Sequence, residues 1–335
     1  MTKVAINGLG RIGRAALKII LDTPQMELVA VNEIAPAENI VYLLKYDSVY
    51  GRYEKSVDND DENLIVDGKP YHFYHEKDPT RLPWADLGVD IVLECTGVFT
   101  KKEQLAKHIQ AGARFVILSA PAKSEEVVTV IHGVNQPENG LPNIISCASC
   151  TTNSIAPVIE IIGRRIGINK AIMTTVHAYT ASQSLVDAPN KNYRRGRAAG
   201  ANLVPTTTGA AAATTKALPQ YEGLFDGVAI RVPVPVGSIS DITMLTTRKT
   251  SVEEVNQIFS EEAASDRYRG IVSVTSEPIV SADIVKDPHA AIVDLELTRV
   301  VDGDLVKVMS WYDNEWGYTH QLIRQAVEIA QSVKN

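Results

Sequence analysis

The period of apolar positions changes along the chain, and that change predicts its elements. Residues 3–8, KVAING, are a short apolar run closing on a glycine, which reads as a strand that ends in a turn. In RIGRAALKIILDT (11–23) the residues Ile12, Ala15, Ala16, Ile19 and Ile20 recur at helical spacing. LVAVNE (28–33) is again β-branched, and DIVLECTG (90–97), RFVILSA (114–120) and NIISCA (143–148) read as further buried strands. KKEQLAKHIQAGA (101–113) has the spacing of a helix and stops at a glycine. Strands alternating with helices predict a parallel sheet in an α/β, Rossmann-type dinucleotide-binding domain.

The second half has a different texture. TTNSIAPVIEIIGRRIG predicts a helix over about 150–166, followed by a strand at 171–179 and a basic loop, NKNYRRGRAAG (190–200). Long β-rich segments follow at 226–235, 240–249 and 289–313, the last with Asp302-Gly303 as a hairpin signal, and SVEEVNQIFSEEAA (251–264) is an amphipathic helix. These predict an α+β catalytic domain with a mixed sheet. The expected division is a dinucleotide-binding domain over 1–149 and a catalytic domain over 150–315, with a C-terminal helix at about 316–335 returning to the first domain.

Composition narrows the classes. The chain has 335 residues, 45% hydrophobic and 22% charged, with a formal net charge of −7. That acidic balance argues against a nucleic-acid partner, which calls for a basic face. No apolar run reaches the length of a membrane span, and the N-terminal stretch lacks a signal peptide's apolar region. Three cysteines cannot build a disulfide framework, which points to a reducing, cytoplasmic setting.

Gly8, Gly10 and Gly13 form G-x-G-x-x-G between a strand and a helix, and Glu33 ends the next strand 20 residues after Gly13. In that context the glycines let a pyrophosphate approach the backbone, and the carboxylate accepts the ribose hydroxyls while repelling a 2′-phosphate. The bland reading is a tight turn with a solvated glutamate. If the motif binds a dinucleotide, the charge favours NAD, with NADP possible but disfavoured.

Cys147 and Cys150 are spaced as C-x-x-C, so a redox pair, half a metal site and a nucleophile with a bystander all have to be weighed. No second C-x-x-C and no H-x-x-x-H completes a zinc set, so no metal is expected. Cys147 reads as a small buried hydrophobe in a strand. Cys150 opens a helix, with Ser149 placed to cap it, where unpaired N–H groups and the macrodipole favour a thiolate. Beside a nicotinamide domain such a nucleophile suits addition to an aldehyde, hydride loss and a thioester. His177, ending a strand of the second domain, is the candidate base, although a lone histidine is by default structural.

INGLGRIGR, LECTGVF, SCASCTTN, TTVHAYT, RRGRAAGANLVPTTTGAA, RVPVP and SWYDNEWGY, in that order between residues 4 and about 330, resemble the phosphorylating glyceraldehyde-3-phosphate dehydrogenase family. The resemblance implies a homotetramer acting on glyceraldehyde 3-phosphate and inorganic phosphate. It implies that Cys150 carries the acyl group and that His177 is its base. Arg11 and Ile12 would lie at the pyrophosphate turn, Lys77, Thr96 and Ser119 along the adenosine and nicotinamide sides, Asn314 at the carboxamide and Tyr318 near the ring. Thr180 and Arg231 would hold the substrate's C3 phosphate, and Ser149, Thr151, Thr208, Gly209 and Arg195 the attacking phosphate. Three positions depart from the common pattern: Glu33 for Asp, Ser182 for Asp, and Ala188 for Leu. The alternatives are erythrose-4-phosphate dehydrogenase, which shares the Cys, the His and an Asn-Glu pair like Asn32-Glu33, and a non-catalytic binding protein on the same fold.

Overall fold

The computed structural model describes residues 1–137 and 140–332. The chain divides into two compact units, one of residues 1–130, 136–148 and 322 onward, the other of 131–135 and 149–321. The division therefore falls one residue before the expected one, and a five-residue segment from the first half belongs with the second unit.

The first unit is built on a nine-stranded sheet in the order Val128–Thr129, Ile144–Ser146, Phe115–Leu118, Ile91–Glu94, Thr2–Asn7, Met26–Asn32, Lys69–Tyr74, Asn63–Val66, Val57–Asn59. The first seven run parallel. Their near-continuous apolar character fits burial on both faces: Val4, Ile6, Leu93, Val116 and Leu118 are all inaccessible. The remaining two are antiparallel, so the expectation of a purely parallel sheet is corrected at one edge. There Asp67 (φ 48°) and Gly68 (φ 75°) make a tight hairpin, the turn that an Asp-Gly pair favours. Helix Arg11–Leu21 buries Ala15, Ala16, Leu17, Ile19 and Ile20. The strand order reverses at Thr2–Asn7, and such a reversal opens a crevice at the carboxyl ends of the strands.

The second unit holds a seven-stranded mixed sheet in the order Val204–Thr207, Phe225–Val232, Ile168–Ala178, Ser238–Thr246, Leu305–Tyr312, Ala291–Val301, Val272–Thr275. Two pairings are parallel, Ile168–Ala178 with Phe225–Val232 and Val272–Thr275 with Ala291–Val301, and the other four are antiparallel. Asp302 and Gly303 form the expected hairpin turn, both at positive φ. Helix Cys150–Arg165 is buried from Thr151 to Ile162 and packs against helix Val252–Ala264 and the central strands. The last helix, Trp316–Ser332, begins in this unit and passes into the first at Leu322. Residues 333–335 of the expected C-terminal helix lie outside the described residues. No helix among the described residues is long and apolar enough to cross a membrane.

Candidate active site

In the first unit a cavity of about 380 Å³ opens at the strand-order reversal, lined by Asn7, Gly8, Gly10, Asn32, Glu33, Ile34, Glu76, Lys77, Cys95, Thr96, Val98 and Phe99. Five of the positions expected to touch a dinucleotide, Gly8, Gly10, Glu33, Lys77 and Thr96, are thus brought to one wall. Gly8 sits at φ +93°, and a Cβ there would come within 2.8 Å of the Thr96 nitrogen. A Cβ on Gly13 would come within 1.9 Å of the Gly8 carbonyl oxygen, so the turn packs against its own helix only as glycine. A Cβ on Gly10 meets nothing within 4 Å, so there the bare backbone borders open space.

Glu33 reaches back across the turn: its Oε2 accepts from the Leu9 N–H at 2.8 Å and its Oε1 from the Ile34 and Ala35 N–H groups at 2.8 and 3.2 Å. Arg11 and Ile12 open the helix, and the Arg11 guanidinium is engaged by Asp47 at 2.5 Å. Ser119 is half-buried and hydrogen-bonds Cys95, whose thiol burial pushes up to about 12. A glycine-lined cavity beside a helix N-terminus, with a carboxylate on the second strand, fits a dinucleotide.

Beneath this cavity lies a polar network that the sequence reading did not pick out. Trp84 Nε1 is only a donor, and it donates to His108 Nδ1 at 3.1 Å. Nδ1 is therefore the acceptor of that bond, and Nε2 donates to Glu94 Oε2 at 3.1 Å. Glu94 also accepts from Asn7 Nδ2 at 2.6 Å, from the Thr96 N–H at 2.8 Å and from the Thr96 hydroxyl. Asn32 Nδ2 continues the chain to Asn7 Oδ1 (2.7 Å) and to the Glu76 carbonyl (2.9 Å). A buried carboxylate with four donors is fully compensated, and the network fixes four segments of the cavity wall.

In the second unit Cys150 is the first residue of its helix. Ser149 caps it, accepting from the Thr152 N–H at 3.2 Å, and Ala148 just before is held at φ 53°. Cys150 Sγ lies 3.4 Å from His177 Nε2. His177 and Arg231 are register partners on adjacent parallel strands, which carries the Arg231 Nη1 to 2.6 Å from His177 Nδ1 and 2.9 Å from the Ala178 carbonyl oxygen. His177 Nδ1 also lies 2.7 Å from that oxygen. Burial and then the Arg231 charge push the imidazole down to about 3, so it is neutral at rest. Burial pushes the Cys150 thiol up, with the Arg231 charge pulling the other way. Desolvation thus opposes the thiolate that the helix start favours, while Arg231 supports it.

Around this pair, Thr151 Oγ1 meets the Tyr312 hydroxyl at 2.9 Å. Arg195 donates to Thr206 Oγ1 at 2.9 Å and to the Thr207 carbonyl at 3.0 Å, beside the half-buried Thr208 and the exposed Gly209 that precede helix Ala210–Ala217. Thr180 shares a hydrogen bond with Ser182 at 2.8 Å. The Arg231 Nε is buried without a hydrogen-bond partner. Asn314 Oδ1 accepts from the Gly237 N–H at 3.1 Å and the Ser238 hydroxyl at 3.0 Å, which fixes the orientation of its amide, and Tyr318 is buried on the last helix. Cys147 is buried, and its thiol is pushed up to about 12.

A dinucleotide crevice in one unit and a cysteine–histidine pair in the other fit a nicotinamide-dependent dehydrogenase. Comparison with known proteins agrees. The profile of the glyceraldehyde 3-phosphate dehydrogenase NAD-binding domain matches residues 2–102, and that of the C-terminal domain matches residues 149–314. The chain is 45% identical over 334 residues to the glyceraldehyde-3-phosphate dehydrogenase of Streptomyces coelicolor, covering 99% of each. It is 46% identical over 330 residues to that of Geobacillus stearothermophilus, covering 98% of each. To that of Thermotoga maritima it is 48% identical over 329 residues, covering 96% of this chain and 97% of the relative. The chain belongs to the glyceraldehyde-3-phosphate dehydrogenase family.

Proposed function

We propose that the protein oxidises glyceraldehyde 3-phosphate with inorganic phosphate to 1,3-bisphosphoglycerate, using NAD. The observation that carries this reading is the 3.4 Å approach of Cys150 Sγ to His177 Nε2 at a capped helix start, in a chain of this family. The Cys150 sulfur attacks the aldehyde carbon, a C–S bond forms, and the thiol proton passes by way of His177 Nε2 to the carbonyl oxygen, giving a thiohemiacetal. His177 Nε2 then takes the hydroxyl proton while the C–H bond breaks with its electron pair, leaving a thioester. NAD, when bound, supplies the acceptor for that hydride. A phosphate oxygen attacks the thioester carbon, the C–S bond breaks, and the electron pair returns to the Cys150 sulfur, which recovers its proton from His177.

The base role uses the tautomer in which Nδ1–H donates to the Ala178 carbonyl and Nε2 presents its lone pair to the thiol, and it requires the Arg231 Nη1, a donor 2.6 Å from Nδ1, to turn from Nδ1 to the C3 phosphate. Arg231 and Thr180 take the C3 phosphate. An anion on Arg231 cancels part of the charge that depresses His177, so substrate binding itself raises the base's strength. Ser149, Thr151, Thr208, Gly209 and Arg195 take the attacking phosphate through hydroxyl, backbone and guanidinium donors. Gly8, Gly10, Arg11, Ile12, Gly13, Glu33, Lys77, Thr96 and Ser119 hold the dinucleotide, with Asn314 and Tyr318 on its nicotinamide side. The protein works in the cytoplasm as a homotetramer: its cysteines form no disulfide, and the second unit leaves large apolar side chains exposed.

The test is NADH formation with glyceraldehyde 3-phosphate and with erythrose 4-phosphate, each with and without phosphate, in the wild type and Cys150→Ser. Phosphate-dependent turnover of the triose, lost in Cys150→Ser with NAD binding retained, is the expected result. Preference for the tetrose, or activity surviving in Cys150→Ser, overturns the reading.

A further inference from the structure

Ser238 opens strand Ser238–Thr246 and is 1% exposed. Its hydroxyl joins two parts of the second unit's site. It accepts from the Ala178 N–H at 3.1 Å and reaches Asn314 Oδ1 at 3.0 Å. Ala178 follows His177 on its strand, and the Ala178 carbonyl oxygen lies 2.7 Å from His177 Nδ1 and 2.9 Å from Arg231 Nη1. Asn314 lies just past the end of strand Leu305–Tyr312 and is 5% exposed.

Donor types settle the direction of each bond. A backbone N–H only donates, so the Ala178 N–H makes the Ser238 oxygen an acceptor. The Gly237 N–H, 3.1 Å from Asn314 Oδ1, likewise requires that atom to be the oxygen of the amide. A carbonyl oxygen only accepts, so the Ser238 hydrogen points to Oδ1. Gly237 sits at φ +89°, and a Cβ there would come within 2.5 Å of the Ser281 carbonyl oxygen, so the turn that presents its N–H needs glycine. Two donors from adjacent residues hold Oδ1, and the NH2 end of the amide is turned away from them. That end makes no hydrogen bond among the described residues, which leaves both its hydrogens for a ligand.

We propose that Ser238 is a positioning residue for the nicotinamide end of the cofactor: its hydroxyl holds Asn314 so that the amide presents its NH2 to the carboxamide, and it ties that amide to the strand end that carries His177. This rests on the functional reading above, in which Asn314 lies on the nicotinamide side of NAD. Ser238 touches no reactant and acts on the cofactor through Asn314. Without the hydroxyl, Oδ1 keeps only the Gly237 N–H, and the amide is free to turn about that one bond. The adenosine end of the cofactor does not depend on Ser238.

Titration calorimetry with NAD and with ADP-ribose, which is NAD without the nicotinamide, separates the two ends. Ser238→Ala is expected to raise the Kd for NAD about 5- to 10-fold, the factor that a lost hydrogen bond of ordinary strength produces, and to leave the Kd for ADP-ribose unchanged. Asn314→Ala should weaken NAD binding by itself, and adding Ser238→Ala to it should cost nothing further, because the group that Ser238 holds is already gone. Ser238→Cys, with a weaker donor, should move the NAD affinity in the same direction by less, and serves if Ser238→Ala does not fold. An unchanged Kd for NAD in the folded variant, an equal loss for NAD and ADP-ribose, or additive losses in the double variant overturns the proposal. An Asn314→Ala variant that binds NAD as the wild type does instead overturns the placement of Asn314 in the functional reading, and the proposal with it.

Discussion

The fate of single residues follows from what surrounds them, and Cys150 shows it. Its sequence position was enough to mark the nucleophile candidate, because a cysteine opening a capped helix is uncommon. Its charge state was not legible, because the register that sets Arg231 beside His177 is a property of the folded sheet. Arg231, not an imidazolium, is the cation that lowers the thiol's pKa. Arg231→Leu should therefore move the pH midpoint of Cys150 alkylation by iodoacetamide upward, leaving less thiolate at neutral pH, while His177→Asn moves it less. An equal or larger shift in His177→Asn would restore the imidazolium picture. His177 itself has a folded-state pKa of about 3 against an unfolded value of 6.5. Between those values the unfolded chain binds the extra proton, so this group's contribution to stability is lost as pH falls from 6.5 toward 3. The wild-type thermal midpoint should fall more steeply over that window than that of His177→Asn; parallel curves would refute the buried neutral histidine. Glu33 carries a second lesson. The sequence marked its charge, but the structure adds that its oxygens hold the backbone N–H groups of Leu9, Ile34 and Ala35. Glu33→Ala should thus lower kcat/KM for NAD as well as raise it for NADP. A variant that gains NADP use with NAD use untouched would show the carboxylate to be only an electrostatic filter.

At the scale of elements, periodicity served where it was strong and failed where it was short. Helices such as Arg11–Leu21 and Val252–Ala264 and the long strands of the second sheet were legible within a few residues. The antiparallel edge at 57–74 was missed although Asp67-Gly68 carries the same turn signal as Asp302-Gly303, because the flanking strands Val57–Asn59 and Asn63–Val66 are too short to show alternation. The buried network was missed for another reason. Glu94 is a charge inside the apolar run IVLE, and His108 falls on the same helix face as Leu105; each was a visible anomaly, but nothing in one sequence pairs them. The strand–turn–helix unit allows a paired prediction. Gly13→Ala drives a methyl against the Gly8 carbonyl and should lower the thermal midpoint and cofactor affinity together. Gly10→Ala meets no protein atom and should leave the midpoint unchanged while raising the KM for NAD, because its methyl enters the space beside the turn. Equal thermal loss in both, or normal NAD affinity in Gly10→Ala, would mean that the turn does not border the bound dinucleotide.

For the whole molecule, the sequence pattern anticipated two units and a mixed second sheet but could not tell which apolar residues would stay outside. In the loop after Thr180, Leu185, Val186, Tyr193 and Leu203 are 84, 70, 89 and 69% exposed. Backbone hydrogen bonds from Ser184 to Arg195 and from Ala188 to Gly196 tie the loop's two limbs, so these side chains stand on an ordered segment rather than on a slack one. Across the sheet, Ile172 and Val228, on paired strands, are 62 and 54% exposed. A monomer in water gains nothing from such surface, since each large apolar side chain buried is worth roughly 1.5–3 kcal/mol. A second copy of the chain is the cover that the homotetramer proposal supplies. Sedimentation at micromolar concentration should give the mass of a tetramer of 36.5 kDa chains. Leu185→Asp with Val186→Asp should dissociate it through the loop, and Val228→Asp through the sheet, each leaving smaller species with secondary structure intact. If the wild type sediments as a monomer, or the loop and sheet variants both remain tetrameric, these apolar side chains are not the contacts that assemble the protein.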